Sequence, residues 1–67
     1  MSVAKVIEVT SESRIGIEDA VQAGLNKIAQ SVHGIQGAWV RDIKVRTSPS
    51  GQIEHWRVCM RVSFVVE

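Results

Sequence analysis

Between Trp56 and Val66 an apolar side chain recurs at every second position: Trp56, Val58, Met60, Val62, Phe64 and Val66. A period of two marks a β-strand with one buried face, because successive side chains point to opposite sides of a sheet. His55, Arg57, Cys59, Arg61, Ser63 and Val65 take the alternate positions. Such a strand needs neighbours for its backbone hydrogen bonds and a cover for its apolar side. Both must come from a chain of 67 residues or from further copies of it.

The remaining segments supply the parts. Val3 to Thr10 is β-branched and apolar, with Lys5 and Glu8 interspersed, and reads as a strand; Ser11-Glu12-Ser13-Arg14 then breaks the pattern. From Ile17 the period becomes helical. Ile17, Ala20, Val21, Gly24, Leu25, Ile28, Ala29 and Val32 share one face, which predicts a helix over about 17–33. Gly16 is an acceptable N-cap, with Asp19 able to reach back to the open amides and Gly34 placed to end the helix. Ala38 to Thr47 and Ile53 to Val66 are strands joined by Ser48-Pro49-Ser50-Gly51-Gln52, a hairpin connection. The predicted fold is α+β, in the order β-α-β-β: a three-stranded antiparallel sheet wrapped around one helix, as a single domain over 1–67.

Size makes self-association the first expectation. A chain this short hides only about 60% of the surface that its unfolded form exposes. Its hydrophobic content is nevertheless 45%. One cysteine, Cys59, rules out an internal disulfide and any cysteine-rich zinc site, and His33 and His55 are too far apart for a local metal motif. The unpaired thiol and the absence of a signal-peptide pattern in Met-Ser-Val-Ala-Lys-Val fit a cytoplasmic location. No apolar run approaches the length that spans a bilayer. A net charge of +1 argues against nucleic acid as the main partner.

Catalytic constellations are missing: no nucleotide-binding glycine pattern, nucleophile elbow or zinc-protease motif occurs. Cys59 and His55 share a strand face but stand roughly 13 Å apart by strand rise, too far for a nucleophile–base pair. An enzyme is therefore the least expected class. The hairpin concentrates Arg41, Lys44, Arg46, Arg57 and Arg61 against Asp42 and Glu54. That excess reads either as solvated charge and intersubunit ion pairs or as an anion site. By two-residue stepping Trp39, Arg41, Ile43 and Val45 fall on the outward face with Arg57, Cys59 and Arg61. Trp56 belongs to the core. Trp39, preceded by the small residues Gly37 and Ala38, fits either a packed neighbour or a stacked planar ligand.

Taken in order and spacing, these residues resemble one family along the whole chain. The opening Val3-Ala4-Lys5-Val6-Ile7-Glu8-Val9, Thr10-Ser11 before Ile17-Glu18-Asp19-Ala20, the tryptophan early in the second strand, and His55-Trp56-Arg57-Val58 with Arg61-Val62-Ser63-Phe64 are similar to the dodecins. The resemblance implies trimers that build a hollow homododecamer, with flavin pairs stacked on tryptophans between subunits. It further implies storage, buffering and photoprotection of the flavin rather than chemistry on it.

Carried over residue by residue, the resemblance makes Trp39 the stacking residue for FMN or riboflavin, with Gly37 and Ala38 beside it. Arg57 would bond the polar edge of the ring, and Arg46 would reach a ribityl or phosphate group. Two alignments fit. Without gaps the family's tryptophan falls on Gly37; with a connection two residues longer it falls on Trp39, and Arg46 comes seven residues on, where bacterial dodecins often carry an arginine. Arg57 stands where the family has a glutamine, and a guanidinium donates to a carbonyl but accepts nothing from a ring N–H. The alternative is a dodecin-like structural assembly that has lost flavin and binds ions or another anionic ligand. Metal ions on symmetry axes stay open.

Overall fold

The computed structural model describes residues 3–66; Met1, Ser2 and Glu67, which the single-domain reading includes, lie outside the described residues. Strand β1 (Val3–Ser13) leads into helix α1 (Ile17–Ala29), followed by β2 (Ile35–Thr47) and β3 (Ile53–Val66). The sheet order is β1-β3-β2, with both ladders antiparallel, so the last strand in the chain is the central one. The predicted β-α-β-β architecture is the one observed.

Alternation in β3 is borne out at its centre. Trp56, expected in the core, and Phe64 are half-buried and Val66 is exposed, because the helix does not reach the strand ends. Val58, Met60 and Val62 are fully buried under α1, opposite Ser11, Val9 and Ile7 of β1. The helix presents Ala20 and Gly24 as its buried contacts. Gly24 is small by necessity, since a Cβ there would stand 2.6 Å from Met60 Cε and 3.1 Å from Ser11 Cβ.

Three boundaries differ from the sequence expectation. Ser11-Glu12-Ser13 does not break β1, because these residues pair in register with Val58, Arg57 and Trp56; an available partner strand overrides local turn propensity. The regular helix ends at Ala29 rather than residue 33. The amides of Ser31 and Val32 both bond Ile28 O, and Gly34, at φ +76°, turns the chain into β2. Strand β2 begins at Ile35, three residues earlier than expected. The helix starts at Ile17 after the N-cap Gly16, as expected, but its capping contacts differ. Asp19 does not reach the open amides; Ser13 Oγ accepts from the amides of Ile15 (2.9 Å) and Gly16 (3.3 Å) and donates to Asp19 Oδ2 (2.7 Å).

The largest correction concerns β2. Val40 pairs with Met60 and Asp42 with Cys59, leaving Arg41 as an extra residue in a bulge. Stepping in twos therefore fails beyond Val40. Ile43 and Val45 pair with Val58 and Trp56 and lie on the helix side of the sheet, while Asp42, Lys44 and Arg46 join Trp39 on the other. The helix packs on β1 and β3, so the hairpin extends past it and the molecule measures 53 × 19 × 13 Å.

Candidate functional site

The face away from the helix carries the chemistry. Trp39 and Arg61 are cross-strand partners on it, with the guanidinium carbon of Arg61 5.9 Å from the indole centroid. Trp39 is 64% exposed. Beside it lies a recess of about 470 Å³ lined by Val6, Gly37, Ala38, Trp39, Arg61 and Ser63. Nothing within 4 Å would meet a Cβ on Gly37, so the floor of the recess is open, and Ser63 Oγ donates to Gly37 O at 3.3 Å.

Glu8 sits between two cations. Its Oε2 lies 3.7 Å from both Arg61 Nε and Arg41 Nη1. These pairs are long and largely exposed, and such pairs contribute little to stability. The Cys59 thiol points to the same carboxylate at 3.9 Å, the outer limit for a sulfur donor.

A second recess, of about 330 Å³, lies towards the hairpin end and is lined by Glu12, Lys44, Val45, Arg46, His55 and Arg57. Here the ion pair is tight: Arg57 Nη2 and Nε approach Glu12 Oε1 at 2.7 and 2.8 Å. The hydrogen bond from Arg57, followed by its charge, holds the Glu12 carboxyl below its ordinary value. Arg14 Nε donates to His55 Nε2 at 3.3 Å, and His55 Nδ1 is buried without a hydrogen-bond partner among the described residues.

The residues expected to form one site are thus divided. Gly37, Ala38 and Trp39 line one recess, and Arg46 and Arg57 line the other. Arg57 is four residues from Arg61 along β3, roughly 13 Å by strand rise. Arg57 instead lines the hairpin-end recess, paired with Glu12. Arg61, Val6 and Ser63 complete the tryptophan recess and were not among the expected site residues. Alternation put Arg61 on the correct face, but its pairing with Trp39 depends on a register that the Arg41 bulge conceals.

Among the described residues no helix is long and apolar enough to cross a membrane, and no group of three or more His, Cys, Asp or Glu is placed to hold a metal ion. The dodecin family profile matches residues 3–67. A dodecin from Streptomyces davaonensis is 27% identical with a TM-score of 0.89, covering 98% of this chain and 96% of its own. A variant of the Thermus thermophilus dodecin is 25% identical with a TM-score of 0.91, over 100% and 98%. The calcium-chelating dodecin of Mycobacterium tuberculosis is 29% identical with a TM-score of 0.82, over 98% and 93%. No curated protein matches the chain.

Proposed function

Because the chain belongs to the dodecin family, we propose that it binds a flavin, FMN or riboflavin, between copies of itself and holds it without turnover. The observation that carries this reading is Trp39, 64% exposed at the rim of an open recess. An indole left in water forgoes the burial and stacking that a flat heteroaromatic ring supplies. The residues fit such a ring: a small-residue floor at Gly37 and Ala38, an indole face, and guanidinium donors for the carbonyl edge. Arg57 and Arg46 of a neighbouring copy serve the polar edge and the ribityl or phosphate end. Bound, the flavin supplies a light-absorbing, redox-active ring, and the indole beside it quenches the excited state. Storage, buffering and photoprotection in the cytoplasm follow from that.

Assembly is supported by what the helix leaves bare. On the helix side of the hairpin Ile43 is 51% exposed and Val45 48%, and Ile53 on the same hairpin is 47% exposed. Further copies of the chain are the natural cover, and a homododecamer built of trimers is the assembly that the family implies.

A second reading, a shell that binds ions instead of flavin, is favoured by the calcium-chelating relative. Without a metal cluster among the described residues of one chain, the ligands would come from several copies. Titrating the purified protein into riboflavin separates the two. Quenching of flavin fluorescence at micromolar protein, largely lost in Trp39→Ala, supports the flavin reading. A dodecamer by gel filtration that quenches neither riboflavin nor FMN supports the other.

A further inference from the structure

We propose that Arg61 is the specificity-determining residue of the Trp39 site, favouring planar heterocycles whose ring carries negative charge. The inference rests on the flavin reading and adds to it which electronic form of the ring the site prefers.

Arg61 is the cation that lines the tryptophan recess, and its guanidinium lies over the indole, 5.9 Å from the centroid, so a ring stacking on that face moves it to the ligand's edge. Arg57 differs in availability, since both of its contacting nitrogens are committed to one oxygen of Glu12 at 2.7 and 2.8 Å. Arg61 shares Glu8 with Arg41, at 3.7 Å each from the Glu8 oxygen to the two guanidinium nitrogens, and Asp42, opposite Cys59, lies on the same face. One carboxylate shared by two arginines leaves Arg61 without an ion-pair partner of its own among the described residues. The 3.7 Å separations leave Arg61 free to turn towards a ligand with little loss.

A guanidinium next to a stacked ring interacts with charge delocalised over that ring, and the interaction strengthens as the ligand displaces water from the recess. A neutral ring gains mostly stacking from Trp39. An ionised ring gains stacking plus the Coulombic attraction of Arg61. Glu8 opposes that second gain by competing for the same cation.

Two probes of nearly the same shape separate the terms: riboflavin, neutral at pH 7.5, and 8-hydroxyriboflavin, whose ring is ionised at that pH. Fluorescence titration of the whole assembled protein is expected to give an affinity about tenfold higher for the ionised ring, about 1.4 kcal/mol. Arg61→Gln is expected to abolish the preference, so that the two probes bind with equal affinity. Arg61→Lys restores the preference, and Glu8→Gln widens it. Arg57→Gln keeps the ratio, whatever it does to the two affinities. Equal binding of the two probes by the wild type, or a preference that survives in Arg61→Gln, overturns the inference and leaves the flavin reading standing. A wild type that binds neither probe overturns both. Circular dichroism and gel filtration of each variant exclude loss of fold as the cause.

Discussion

Trp39 and Arg61 stand opposite each other across the β2–β3 ladder, with the guanidinium carbon 5.9 Å from the centre of the indole. Cross-strand partners on one face are the unit through which side chains stabilise a sheet. At an exposed site a cation over an aromatic ring contributes about 0.5–1 kcal/mol. A double-mutant cycle of Trp39→Ala and Arg61→Ala, read by chemical denaturation, is expected to give a coupling of that size. Additive single effects would show that the two side chains are neighbours without interacting.

Ser13 joins the end of β1 to the start of α1 through one hydroxyl, which accepts from two amides and donates to Asp19. Its residue is buried, so water does not replace these bonds. Ser13→Ala is expected to cost about 1–3 kcal/mol, the range for leaving buried polar groups unpaired. Ser13→Thr retains the hydroxyl and keeps most of the stability. Thermal denaturation of both variants checks the pair, and equal melting temperatures would remove Ser13 from this role.

At Gly24 two effects oppose each other. Alanine favours a helix interior by about 1 kcal/mol over glycine. Against that, its Cβ would meet Met60 Cε at 2.6 Å and Ser11 Cβ at 3.1 Å. Met60 is fully buried and has little room to withdraw, and Ser11 is fixed by its strand. Overpacking of this kind costs roughly 1–3 kcal/mol, so Gly24→Ala is expected to be net destabilising and Gly24→Val more so. A stabilised alanine variant would mean that the helix can shift outward.

The Glu12–Arg57 pair predicts a dependence on pH. A carboxyl held below its ordinary value in the folded chain adds stability that is present above the unfolded value and lost as pH falls through the folded one. The stability difference between wild type and Arg57→Gln is therefore expected to be largest near neutrality and to shrink in acid. Denaturation curves collected down the pH scale test it, and a gap that widens on acidification contradicts the assignment.

Arg41 is the extra residue between the pairs Val40–Met60 and Asp42–Cys59. Deleting it restores strict alternation and leaves every other residue of that stretch on its present face. The deletion variant is expected to fold with the same pairs, seen as unchanged cross-strand proton contacts in NMR spectra. A wholesale register change would mean that the bulge is needed to set the pairing.

The sequence made the element order and the central core legible, because a long run of period two and a helical face of period near four are strong, local signals. Val58, Met60 and Val62 could be assigned to the core from spacing alone. Strand ends were harder, since Ser11 and Ser13 have turn character but gain a pairing partner in β3. Ile43 and Val45 were placed on the wrong face because a bulge depends on the partner strand and has no reliable signature within the bulged one. The site was legible in composition but not in grouping. Trp39 stood out as an outward aromatic, yet the cation beside it, Arg61, is separated from it by 22 residues of chain and is identified only by register.

The placement of β3 between β1 and β2 has a consequence for how the molecule is made. Strands β1 and β2 have no ladder with each other, and every interstrand hydrogen bond passes through Ile53–Val66. Without β3, residues 3–47 have a helix and two strands that do not pair with each other. Until β3 docks, their apolar faces and strand edges are open to competing chains. Folding then resembles the closing of a zip from its centre, and even a short truncation of β3 would remove register from both sides at once.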